Sequence, residues 1–128
     1  MGGLITAYGI VGLYWPPMHQ REVLAVGAGS LTDTLHLIWA AVTVVIIVTA
    51  VAIGATALGQ AFRIYSFMTI VVMVIFGALT GACANRLEEG SPTPWIGLWE
   101  RISIAAYLIW VVALAVALLR KEKVSPTA

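Results

Sequence analysis

Residues 32–58 read TDTLHLIWAAVTVVIIVTAVAIGATAL, and Asp33 is their only charged member. As a helix this stretch is ~40 Å long at ~1.5 Å per residue, more than the ~30 Å hydrocarbon core of a bilayer. It has no strand-period alternation. Backbone groups in lipid must bond within their own segment, so the stretch reads as a transmembrane helix. Two further runs, 64–84 and 102–119, hold no charged residue at all. Together the three runs predict an all-α fold. The expected architecture is a transmembrane helical bundle of three full spanning helices plus one short N-terminal helix.

The composition agrees with this solvent. The chain is 61% hydrophobic and 10% charged, and its mean hydropathy is +0.98. Soluble domains carry roughly 25% charged residues. In 128 residues little is left beyond spans and short loops. The net charge of +1 gives no sign of nucleic-acid binding. Cys83 is the only cysteine, so no internal disulfide forms, and it reads as a small packing residue.

The first segment, 2–15, is apolar but too short, ~21 Å of helix against the ~30 Å required. It lacks the basic start and small-residue cleavage site of a signal peptide, and Trp15-Pro16-Pro17 follows it. It reads as the end of a transmembrane helix whose beginning is missing.

The expected helices are therefore 2–15, 32–58, 64–84 and 94–119. Outer loops occupy 16–31 and 85–93, a tail occupies 120–128, and the whole chain, 1–128, is one transmembrane domain. Ser30-Leu31-Thr32-Asp33 fits a capping box. Thr93-Pro94 reads as a helix start, with Thr as N-cap and Pro in the first turn. If the helices alternate, Arg63, Arg120, Lys121 and Lys123 share one side with the amino terminus, and Arg21, Arg86 and Arg101 lie opposite. The basic excess places both termini in the cytoplasm of a cell-membrane protein. Glu22, Asp33, Glu88, Glu89 and Glu100 make the outer side acidic, and Trp15, Trp95 and Trp99 fall near that boundary.

The polar residues that could carry chemistry gather on the outer side: His19, Asp33, His36, Glu100 and Arg101. Asp33 and His36 share a helix face that continues through Ala40, Thr43, Ala50 and Gly54, small and polar as buried faces in membranes tend to be. Glu100, Ser103, Tyr107 and Trp110 form a similar face. Gly77 and Gly81 make a G-x-x-x-G pair suited to close helix packing. His19, Asp33, His36 and Glu100 have the chemistry of zinc ligands, and a metal there would activate water against a lipid ester or amide. Their spacing is no recognised signature, so no metal is expected. The preferred reading has Asp33 capping a helix and His36 bonding between helices. Glu100-Arg101 would either hold a lipid headgroup or pin the top of the last helix, and pinning is preferred.

Trp15-Pro16-Pro17-Met18-His19, Leu31-Thr32-Asp33-Thr34-Leu35-His36 and Arg63-Ile64-Tyr65-Ser66 resemble a bacterial and archaeal membrane family. So does Pro92-Thr93-Pro94-Trp95-Ile96-Gly97-Leu98-Trp99-Glu100-Arg101-Ile102, the most specific of these stretches. The family is known as domain of unknown function 998. The resemblance covers nearly the whole chain and implies a multi-pass membrane protein. It aligns the chain with the family's C-terminal two-thirds: two N-terminal helices are absent, and Met1 falls inside the third. A fragment, a misplaced start and a shortened member all fit that alignment. The family carries no established catalytic residues to transfer.

Three functions are weighed. The preferred one is a non-enzymatic scaffold, permease-like or lipid-binding membrane module. The alternative is a membrane-embedded, metal-dependent hydrolase acting on a lipid at the outer face. The last is a small efflux-type transporter, disfavoured because the helix interiors hold Thr43, Thr49, Thr69 and Tyr107 but no carboxylate. No cofactor is assigned. The expected partners are the bilayer itself and either a second copy of the chain or a subunit supplying the missing helices.

Overall fold

The computed structural model of the chain describes residues 2–89 and 91–124. They form five helices: α1 (Gly2–Leu13), α2 (Arg21–Ala25), α3 (Leu31–Gly54), α4 (Gln60–Glu88) and α5 (Ile96–Val124). No strand occurs among the described residues. Three stretches are long and apolar enough to cross a membrane: Leu31–Gly54, Gln60–Cys83 and Ile96–Glu122. The protein is an all-α transmembrane bundle, with α1 as its short N-terminal helix.

Two antiparallel pairs make the bundle. Trp39 of α3 donates its indole N–H to the Val11 carbonyl at the end of α1, 2.9 Å away. His36, one turn earlier, meets the Pro16 carbonyl. In the other pair, Trp110 of α5 donates Nε1–H to Ser66 Oγ of α4 at 2.8 Å, and Ser103 Oγ reaches the Met73 carbonyl at 3.4 Å. The first loop and the α4–α5 connection lie at one end of the bundle, here the loop end. The α3–α4 connection lies at the other, the turn end.

The core is not spread evenly. Ile47 and Val51 of α3 pack on Met73 of α4 and on Tyr107, Trp110 and Leu114 of α5. After Asp33, the next buried residue of α3 is Thr43, ~18 Å along the helix from Leu31. The bundle is thus closed from its middle to the turn end. Its outer flanks are apolar and exposed, as at Val45, Ile109 and Val112, the inverse of a soluble protein and the arrangement lipid requires. Five Ser and Thr hydroxyls in the spans are satisfied within their own helices. Thr43, Thr49, Ser66, Thr69 and Thr80 each donate to the carbonyl four residues earlier.

Helix ends depart from the hydropathy runs, for physical reasons. The second expected helix stops at Gly54 rather than 58, because the chain must reverse before Gln60. Ala57 N–H closes on the Gly54 carbonyl at 3.0 Å, while Leu58 stays half-buried on the core. The next helix covers 60–88 instead of 64–84, and the last reaches Val124 instead of 119. Apolarity marks only the part within hydrocarbon, and a helix already formed continues into the headgroup region at little cost. The second loop shrinks to match, and the tail starts later. Residues 125–128 of that tail, and the side chains of Arg21, Glu88 and Lys123, lie outside the described part. At the other terminus α1 ends at Leu13, before Pro16, two residues short of its expected end.

Two details reverse the expectation. Residues 16–31 are not all loop: α2 forms within them, between Pro17 and Gly27, and packs against α4. Gly27 then turns the chain with φ 70°, a conformation that favours glycine. Thr93 does not cap α5 with its side chain. Its carbonyl accepts the Ile96 N–H at 3.4 Å, and its hydroxyl is buried without a hydrogen-bond partner.

Candidate functional site

The polar cluster at the loop end is built around Asp33. Helix α3 begins one residue after Ser30, so the carboxylate in its first turn reaches back to the free N–H groups there. Ser30 N–H donates to Asp33 Oδ2 at 2.7 Å, completing the capping box. Ser30 Oγ–H adds a second bond to Oδ2 at 3.1 Å. From eleven residues further up the chain, His19 contributes two more. Its backbone N–H donates to Oδ1 at 2.7 Å, and its ring Nδ1 lies 2.9 Å from Oδ2. A carboxylate only accepts, so Nδ1 carries the proton in that contact. Asp33 is buried at 6% exposure, and the His19 side chain is 45% exposed.

His36 lies one turn deeper and belongs to a different contact. Its Nδ1 is 2.7 Å from the Pro16 carbonyl, which fixes the proton on Nδ1. Trp15 covers the ring edge-on, with centroids 5.3 Å apart. Glu100 and Arg101 lie in the first turns of α5 and are exposed. Arg101 Nη1 folds back onto the Gly97 carbonyl of its own helix at 2.8 Å. No described contact joins Glu100 to His19, Asp33 or His36.

Of the five residues grouped by sequence, the structure brings together His19 and Asp33. It seats His36 beside that pair but on another partner, and it leaves Glu100 and Arg101 on a separate helix. Among the described residues, no three His, Cys, Asp or Glu side chains converge as metal ligands would. A Cβ placed on Gly77 or Gly81 meets nothing within 4 Å, so among the described residues no other helix packs closely on that pair.

Sequence reasoning missed the partners in three contacts. Ser66 and Trp110 were each visible, one in the Arg63–Ser66 stretch and one on the inward face of α5, but not as partners. The Trp39–Val11 and His36–Pro16 bonds end on backbone carbonyls, which have no signature in sequence. An aromatic line also crosses the centre: Tyr8 meets Tyr107 edge-on at 5.2 Å, and Phe62 lies 6.0 Å from Trp110.

Three spanning helices, a short fourth and a polar clamp at one end define a multi-pass helical membrane protein. The family model described as Protein of unknown function (DUF998) matches residues 1–117, and the chain belongs to that family. No curated protein and no solved structure matches it.

Proposed function

We propose that the chain is a non-enzymatic membrane module of the scaffold or lipid-binding kind. The observation that carries this reading is the use made of the loop-end polar residues. Asp33 accepts four bonds that tie residues 19 and 30 to α3, and His36 ties Pro16 to the same helix. Asp33 so committed holds a loop in place, whereas a catalytic zinc takes three protein ligands, and among the described residues no three His, Cys, Asp or Glu side chains converge. The lipid-binding form gains support from a shallow groove of about 230 Å³ on the flank of α4 and α5. Tyr65, Met68, Thr69, Val72, Ala106 and Ile109 line it. Its threonine hydroxyl is already bonded to the Tyr65 carbonyl, so the walls suit an acyl chain.

The same reading keeps residues 1–128 as one domain of the cell membrane, with the loop end outside and both termini cytoplasmic. Trp15 and Trp95, exposed at the loop end, support an interface there. The Gly77–Gly81 pair, open to an added Cβ at both positions, supports self-association, and we assign a homo-oligomer on that basis.

Metal analysis and native mass spectrometry of the detergent-purified protein test the proposal together. Retained lipid without stoichiometric metal is the expected result. Stoichiometric metal in the wild type, lost in a folded His36→Ala variant, would replace this reading with the hydrolase.

A further inference from the structure

Every described hydrogen bond between helices lies within one of the two antiparallel pairs. Trp39–Val11 and His36–Pro16 hold α3 to α1 and its following turn. Trp110–Ser66 and Ser103–Met73 hold α5 to α4. The contacts described between the pairs are apolar and ring contacts: Ile47 and Val51 on the α4–α5 core, and Tyr8 on Tyr107. Apolar contact between helices gains little over contact with lipid tails, so this seam is the weakest join in the bundle. It is also confined to the middle and the turn end, since α3 buries nothing between Asp33 and Thr43. Towards the loop end α3 itself adds no residue to the shared apolar core.

One element of the first half does cross to the second near that end. Helix α2 packs against α4, with Val23 and Leu24 half-buried. The segment carrying α2 runs from His19 to Ser30, and both of these residues bond to the single carboxylate of Asp33. The result is a short loop whose two ends are pinned to α3 and whose body rests on α4.

We propose that residues 19–30 form a strap across two rigid halves, α1–α3 and α4–α5, and that Asp33 is its fastening. With the strap seated the loop end is closed. With it released the halves rock about the 55–59 connection and part at the loop end, leaving the turn end packed. Discrete rigid-body motion of this kind is how packed helices move without melting. The proposal is independent of whether the module binds lipid.

Spin-label distances in nanodiscs test it, in a Cys83→Ala background. Leu35→Cys with Leu98→Cys reports the loop-end gap between halves, and Ile53→Cys with Leu119→Cys reports the turn end. Ile10→Cys with Leu37→Cys, and Leu79→Cys with Leu98→Cys, report each half internally. Asp33→Ala should lengthen the Leu35–Leu98 distance by about 5 Å or more and leave the other three unchanged. An unchanged Leu35–Leu98 distance would overturn the proposal. If Asp33→Ala loosens all four pairs, His19→Ala, which keeps the backbone bond and removes the ring bond, decides. Widening of the Leu35–Leu98 pair alone supports the strap, and any other pattern in that variant rejects it.

Discussion

Trp110 is fully buried, and its indole N–H has one acceptor, Ser66 Oγ, which itself donates to the Phe62 carbonyl. Removing either partner therefore has a definite sign. Ser66→Ala leaves a buried N–H unpaired and should lower stability by about 1–3 kcal/mol. A double-mutant cycle with Trp110→Phe, read by unfolding in mixed micelles, should return a coupling of about 1 kcal/mol, within the range for bonds between membrane helices. A coupling near zero would mean the bond is not formed in lipid. Thr93 is the opposite case, a buried hydroxyl with no partner. Thr93→Val removes the unpaired group at nearly constant shape, so it should raise stability by about 1 kcal/mol. A loss on that substitution would reveal an acceptor supplied by the membrane or a neighbour. Much was legible at this scale where partners are close in sequence. The Ser30–Asp33 box follows from a spacing of three, whereas Ser66 is one of several helical hydroxyls and only folding selects it for Trp110.

Helix α1 is held less by its own packing than by what α3 offers its end. None of its residues is buried; Trp39 donates to its Val11 carbonyl, and His36 bonds the Pro16 carbonyl just beyond it. The pair Trp39→Phe and His36→Ala should detach α1 while leaving α4 and α5 paired. Hydrogen exchange should then rise across residues 2–16 and remain slow around Ser66 and Trp110. Uniformly faster exchange would show that α1 is instead part of one cooperative unit with the rest. The elements themselves were legible wherever a run of apolar residues excluded charge, because that property sums residue by residue. Their ends were not, since the hydropathy run marks hydrocarbon rather than helix. Five-residue α2 was invisible for another reason: it is too short to display a period and is stabilised by lying on α4.

At the scale of the molecule, the exposed flanks set the association. Gly77 and Gly81 have no close partner among the described residues, so replacing both with Ile should change the stability of the single chain by no more than about 0.5 kcal/mol. If the pair forms the contact between copies, the same change should convert an oligomer to monomers in native mass spectrometry. A wild-type protein that is a stable monomer in mild detergent would end the homo-oligomer proposal. An oligomer insensitive to the double change would move the contact elsewhere, to the α4–α5 groove among others.

Solvent, fold class and the number of spanning helices follow from the order of residues alone, because burying charge in hydrocarbon is costly wherever it falls along a span. The inward faces of α3 and α5 follow too, from small and polar residues at helical spacing. Pairing required the folded chain. The division into two hydrogen-bonded halves, the Asp33 fastening of residues 19–30, and the separation of Glu100 and Arg101 from the histidines depend on distances between helices. Those distances arise from packing, and no local pattern in the chain encodes them.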